Sequence, residues 1–331
     1  MGIFVLFLVF FGLKDGNWGG GGSGSGPSSG GRARDSPYPG DTVTSLRSQL
    51  GYVKSKYARA TGHAVDANDH SAPTVYAITP THNRDVQKAE LTRLCHTFLL
   101  VPNFHWIVVE DAKDKTEKVA NLLKGCGVSY THLAAYTPPE KKLGKNEKRW
   151  RKPRGVIQRN EGLIWLRNHA HARTHAHPDD GGVVYFADDD NTYGLELFDV
   201  IRDTKRVSVF NVGLVGGLMV ERPRVSKTDP TLVTGWDVVW APQRPFAVDM
   251  AGFAVNLKHL LSRPKAKFAY EVKIGFQESE FLKHLTEMGE LEPKALDRVF
   301  VWHTRTEKVK LDMERKLMER GSKPSDADIE V

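Results

Sequence analysis

Residues 183–192 read Val-Val-Tyr-Phe-Ala-Asp-Asp-Asp-Asn-Thr, an apolar stretch that halts on three consecutive carboxylates, Asp188, Asp189 and Asp190. Adjacent like charges repel, and a carboxylate is not buried without a partner. Their place is the carboxyl end of a buried strand, where an open α/β sheet puts its ligand crevice. Hard carboxylate oxygens there suit a divalent cation such as magnesium or manganese, which can bridge to a substrate phosphate. The competing reading is a solvated acidic turn ahead of a helix that starts near Leu195.

The elements before the triplet favour the first reading. From Pro73 onward, short apolar runs alternate with helical spacing. Strands are expected at Val75–Thr79, Trp106–Val109 and Val128–Leu133, and helices at Gln87–Phe98, Lys115–Lys124 and Gly155–His169. Such alternation predicts a mostly parallel sheet with right-handed crossovers. The strand ends at Thr79, Glu110 and Asp190 would then share one edge. After residue 195 the pattern is less regular. Strands are expected at 207–212, 214–220, 251–256 and 299–302, a helix at 277–284, and a partly helical tail at 308–320.

The chain has 331 residues, with 40% apolar content, 47 Lys and Arg against 40 Asp and Glu, and a formal charge of +7. That mild excess implies attraction to anionic ligands and no dedicated nucleic-acid surface. The two cysteines, Cys95 and Cys126, lack metal-ligand spacing and read as buried free thiols. Gly2 to Leu13 is apolar but shorter than the roughly 17–25 residues a spanning helix needs, so residues 1–13 read as a signal or truncated anchor segment. Residues 14–72, with almost only Gly and Ser from Gly19 to Gly31, read as a flexible stem. No Asn-x-Ser/Thr sequon is present.

Two enzyme chemistries use such a motif. The D-x-D-x-T of aspartyl-phosphate phosphatases makes the first Asp a nucleophile. That motif usually opens its domain, and a downstream Asp pair completes it; here α/β pattern precedes it and no Asp-Asp follows Asp190. The D-x-D of nucleotide-sugar glycosyltransferases instead sets a metal against the donor diphosphate. Further segments make the second reading specific. They are Pro80-Thr81, Val86 to Leu91, Val109 to Ala112, Pro153 to Gly155, Gln158 to Asn160, Tyr185 to Tyr193, Val215 to Leu218, Arg244 to Phe246, Asp249 to Asn256 and Val301 to Lys308. Together, in this order, they resemble the animal β-1,3-glucuronosyltransferase family.

The resemblance implies a GT-A fold: a Rossmann-like UDP-sugar-binding half (73–194) with a mixed sheet, an acceptor-binding and catalytic half (195–310), and a charged tail (311–331). It implies manganese, UDP-glucuronate as donor and a terminal β-galactose as acceptor. Residue by residue, Asp190 matches the metal ligand. Asp111, Arg154, Arg159, Asp188, Asp189, His303 and Arg305 match donor-binding positions. Glu221, Arg244 and Asp249 match acceptor contacts. Glu278 matches the base that takes a proton from the attacking hydroxyl in one inverting displacement; on spacing alone it would only favour a first helical turn. A homodimer and a type II, single-pass Golgi membrane protein with a lumenal catalytic domain are also implied.

The sequence departs from the pattern at His82, where the family usually stacks Tyr on uracil, and at Ile274 and Met313. These positions bear on the acceptor. Gly213-Leu214-Val215 leans toward the proteoglycan linkage trisaccharide, Gal-Gal-Xyl-protein. Lys273 and Phe276-Gln277-Glu278 lean toward terminal N-acetyllactosamine. The linkage region is the expectation. A catalytically inactive galactoside-binding member is the alternative from another class.

Overall fold

The first strand, Val75–Thr81 (β1), turns Tyr76 and Ile78 into one core cluster and Val75 and Ala77 into another. A strand apolar on both faces requires cover on both, and the structure supplies it. The computed structural model describes residues 72–144, 152–174, 182–304, 311–325 and 327. The expected segment 1–13, the stem up to residue 71 and Arg305 therefore lie outside the described residues.

Gln87–Phe98 (α1) follows, then Phe104–Glu110 (β2), Glu117–Cys126 (α2) and Ser129–Ala134 (β3). The Thr116 hydroxyl caps α2 by accepting from the Val119 N–H, and Gly127 at φ +81° closes it. Val156–Thr174 (α3) leads to Val183–Phe186 (β4). β4, β1, β2 and β3 are parallel neighbours in that order. Leu163 and Leu166 of α3 pack on one face; Leu91 and Leu94 of α1 and Leu123 of α2 pack on the other. The strand ends at Thr81, Glu110 and Ala187 consequently fall on one edge, as the alternating pattern required.

The chain then forms Thr192–Tyr193 (β5), Glu196–Arg202 (α4), Val207–Val209 (β6), Val212–Gly213 (β7), Val220–Val225 (β8), Val233–Asp237 (β9) and Phe253–Asn256 (β10). Leu257–Leu261 (α5), Gln277–Leu282 (α6), Glu292–Pro293 (β11), Val301–Trp302 (β12) and Asp312–Glu319 (α7) complete it. β10 runs antiparallel to β4, and β6 and β11 extend a mixed seven-stranded sheet. Its strands come from both sides of residue 194. A five-stranded sheet, β5-β12-β7-β8-β9, stands beside the triplet. No helix among the described residues is long and apolar enough to cross a membrane.

Two expectations are corrected. Residues 214–219 are a turn, because Leu214, Gly216 and Gly217 all take positive φ (58°, 61° and 83°), and the strand starts only at Val220. Cys95 and Cys126 are not free thiols but a disulfide across 31 residues, with Cα atoms 5.8 Å apart. Both face the same core cluster from the neighbouring helices α1 and α2. Spacing within each helix says nothing about how the two dock.

Candidate active site

The three carboxylates beyond β4 differ in how they are compensated. Asp188 accepts from Arg159 Nη2 at 2.5 Å. Arg159 is buried near the start of α3, and its Nη1 donates to the Arg154 carbonyl at 2.9 Å. Gly155 makes that seat possible: it sits at φ +72°, and a Cβ there would stand 2.5 Å from Arg159 Nη1. Asp189 accepts from Arg84 Nη1 at 2.8 Å, and Arg84 also pairs with buried Glu90 of α1. Asp190 alone has no ion-pair partner among the described residues. Burial, then repulsion from Asp188 and Asp189, push its carboxyl above the ordinary value. An uncompensated carboxylate beside two neutralised ones is a place for a cation. No cage of three His, Cys, Asp or Glu side chains exists among the described residues. The donor set therefore fits an ion that takes most of its ligands from phosphate and water, as magnesium and manganese do.

Asp111 follows β2 on the same edge, accepting from the Thr137 N–H at 2.8 Å, with Lys142 Nζ at 3.8 Å. Beneath it, buried Glu110 receives the Thr116 N–H at 3.0 Å and stands 2.5 Å from His132 Nε2. Arg154 is exposed just ahead of α3, and His82 is exposed after β1.

The short helix α6 carries another acidic candidate, Glu278. Phe281 stacks on Phe268 at 4.6 Å and anchors it in the core. Gln277 Nε2 donates to the Ala269 carbonyl at 2.5 Å, and Ser279 Oγ donates to the Phe246 carbonyl at 2.9 Å. Glu278 lies between these two in sequence. Part of the residue is exposed, yet its carboxyl is enclosed by protein. Burial, then repulsion from Asp249, push it up to about 7 against the pull of Arg244 and Arg159.

Asp249 caps the 3-10 turn Met250–Gly252 by accepting the Ala251 N–H at 2.9 Å. Its Oδ2 stands 3.4 Å from His303 Nδ1, an ion-pair contact longer than a good hydrogen bond. Burial would raise the Asp249 carboxyl, but His303 and the Ala251 N–H outweigh this and hold it low. His303 in turn is raised to about 9, by Asp249 against its own burial, with Asp188 and Asp190 adding to it. That favours the imidazolium at neutral pH, beside Asp249 and within reach of Asp188 and Asp190. Glu221 is buried on β8, its carboxyl raised by burial and then by Asp249. Buried Arg244 donates to the Gly275 carbonyl at 3.0 Å and lies 4.9 Å from the half-exposed Trp240 ring.

Ion pairs and charge interactions thus link the sequence-derived residues into one network, except Arg305, which is outside the described residues. Spacing had missed Arg84, Trp240 and Thr304. Arg84 sits just past a strand end, a signal that could have found it; the other two depend on tertiary contacts.

A strand-end acidic cluster and an enclosed glutamate raised to about 7 are groups that glycosyl transfer can use. The profile of glycosyltransferase family 43 matches residues 94–307. The chain is 49% identical over 265 residues to galactosylgalactosylxylosylprotein 3-beta-glucuronosyltransferase I of Drosophila melanogaster, covering 78% of this chain and 84% of that protein. To galactosylgalactosylxylosylprotein 3-beta-glucuronosyltransferase 1 of Homo sapiens it is 53% identical over 239 residues, 71% of this chain and 70% of that one. The chain belongs to glycosyltransferase family 43. Among solved structures, S. aureus TarS 1–349 in complex with UDP aligns at 15% identity and a TM-score of 0.45 over 70% of this chain and 61% of that chain; so remote a likeness adds nothing to the chemistry.

Proposed function

We propose that this protein moves glucuronate from UDP-glucuronate to O3 of the terminal β-galactose on the linkage trisaccharide Gal-Gal-Xyl of proteoglycans. The observation that carries this is Glu278, enclosed and raised to about 7 beside Asp249 and within reach of Arg159, which pairs with Asp188. The names borne by the Drosophila and human relatives support the same donor group and acceptor.

In this reading Asp111, Asp188 and Asp189 hold the uridine and ribose. Arg154, Arg159, His303 and Arg305 set positive charge against the diphosphate and the glucuronate carboxylate; a planar guanidinium suits both anions. Asp190 would hold a divalent ion, manganese by resemblance, which supplies charge neutralisation to the departing diphosphate when bound. Glu221, Arg244 and Asp249 orient the galactose. Glu278 takes the O3 proton as O3 attacks C1 of glucuronate and the C1–O bond to UDP breaks. One displacement inverts the α-linked donor to a β-linked product.

Purified protein given UDP-glucuronate and the linkage trisaccharide should form product that a chelator abolishes and manganese restores. Preference for N-acetyllactosamine would move the acceptor assignment. Binding of galactosides with no turnover of the donor would make the chain an inactive member. The setting we propose is the Golgi lumen, in a type II homodimer. The disulfide supports an oxidising compartment, while the anchor and the dimer rest on the family resemblance. Light scattering of the lumenal part would give the oligomeric state.

A further inference from the structure

Behind the acidic triplet, each carbonyl of the turn is held. Tyr193 Oη donates to the Asp188 carbonyl at 2.8 Å. Arg93 Nη2 reaches the Asp189 and Asn191 carbonyls at 3.4 and 3.3 Å. Thr304 Oγ1 donates to the Asp190 carbonyl at 2.5 Å, across 114 residues of sequence. With that proton committed, the Thr192 hydroxyl, 3.3 Å away, is the donor to Thr304 Oγ1.

The Thr304 contact differs from the others in what it joins. It sits next to His303 on the segment leaving β12, and that segment is fixed by its backbone without help from the hydroxyl. Trp302 pairs with Thr192, Gly194 N–H donates to the Phe300 carbonyl at 2.7 Å, and His303 N–H donates to the Gly213 carbonyl at 2.8 Å. Besides accepting from Thr192, the hydroxyl fixes the orientation of the Asp190 peptide beside His303.

We propose that Thr304 is a positioning residue for the donor, its hydroxyl setting the Asp190 carboxylate at a fixed distance from His303 so that both reach the same diphosphate. This rests on the assignment of Asp190 and His303 to donor binding.

Thr304→Val keeps the shape and removes the hydroxyl, and Thr304→Ser restores it. Titration calorimetry with UDP in the presence of manganese reads the effect without turnover, and steady-state kinetics read the two KM values. A hydrogen bond of ordinary strength corresponds to about threefold to tenfold in affinity. Thr304→Val should weaken UDP binding and raise the donor KM by about that factor, with acceptor KM and Tm unchanged and Thr304→Ser close to wild type. Unchanged UDP affinity in Thr304→Val overturns the inference. So does a joint loss of Tm, donor KM and acceptor KM that Thr304→Ser fails to rescue. Wild-type protein that takes up no UDP at all would overturn the donor assignment itself, and this inference with it.

Discussion

Asp249 and His303 meet at 3.4 Å, Oδ2 to Nδ1, joining the proposed donor-binding residues to the proposed acceptor-binding ones. One carboxylate thereby influences two titrations. By attraction it leads in raising His303 to about 9, and by repulsion it adds to the burial that lifts Glu278 to about 7. In the proposed roles Glu278 works deprotonated and His303 works as the imidazolium. The kcat/KM profile should therefore rise with pH through about 7 and fall through about 9. A profile flat between pH 6 and 8 would remove Glu278 from the base role.

Asp249→Asn removes that charge and keeps the size. His303 then loses its main support and moves toward its ordinary 6.5, while Glu278 loses repulsion and moves toward 4.5. Both limbs of the profile should shift to lower pH together. An alkaline limb that stays near 9 would show that something else holds the His303 proton.

Glu278→Gln leaves α6 intact, since Gln277, Ser279 and Phe281 do the anchoring. Turnover should fall by about 10²- to 10⁴-fold, the usual contribution of a general base. UDP affinity, read by calorimetry, should not change. Loss of both would place Glu278 in donor binding instead.

Gly216→Ala tests the proposed acceptor role of Glu221. At φ +61° a Cβ would stand 2.0 Å from Glu221 Oε1, so either the turn or Glu221 must move. Left-handed backbone at a non-glycine residue costs about 1–3 kcal/mol. A lower Tm and a raised acceptor KM are expected, with donor KM unchanged.

Cys95→Ser should destabilise the protein by about 2–4 kcal/mol, the range for loss of a native disulfide. Thiol titration of unfolded wild-type protein should find no free thiol from this pair. Two titratable thiols would return both cysteines to the reduced state.

The larger sheet was legible because burial on both faces leaves continuous apolar runs, as in β1 and β2, and α1 runs from Gln87 to Phe98 as its spacing predicted. The acidic triplet was legible because three charges at a strand end cannot hide. What escaped depends on contacts between distant segments. The 214–219 turn has apolar residues that suggest a strand, and only the positive φ values of its backbone exclude one. β9 and β11 are short strands whose residues gain their register from neighbours. Arg84 and Thr304 acquire meaning through Asp189 and Asp190, 105 and 114 residues away. Glu278 could be singled out only by family likeness, because its unusual environment is built by Asp249 and core packing rather than by its sequence neighbours.

β12 lies edge to edge with β5, so the strand behind the acidic turn is supplied by a segment far downstream of it. A nascent chain stalled before Val301 would present its acidic turn without that strand behind it. The turn's full support therefore forms only once both segments have been made.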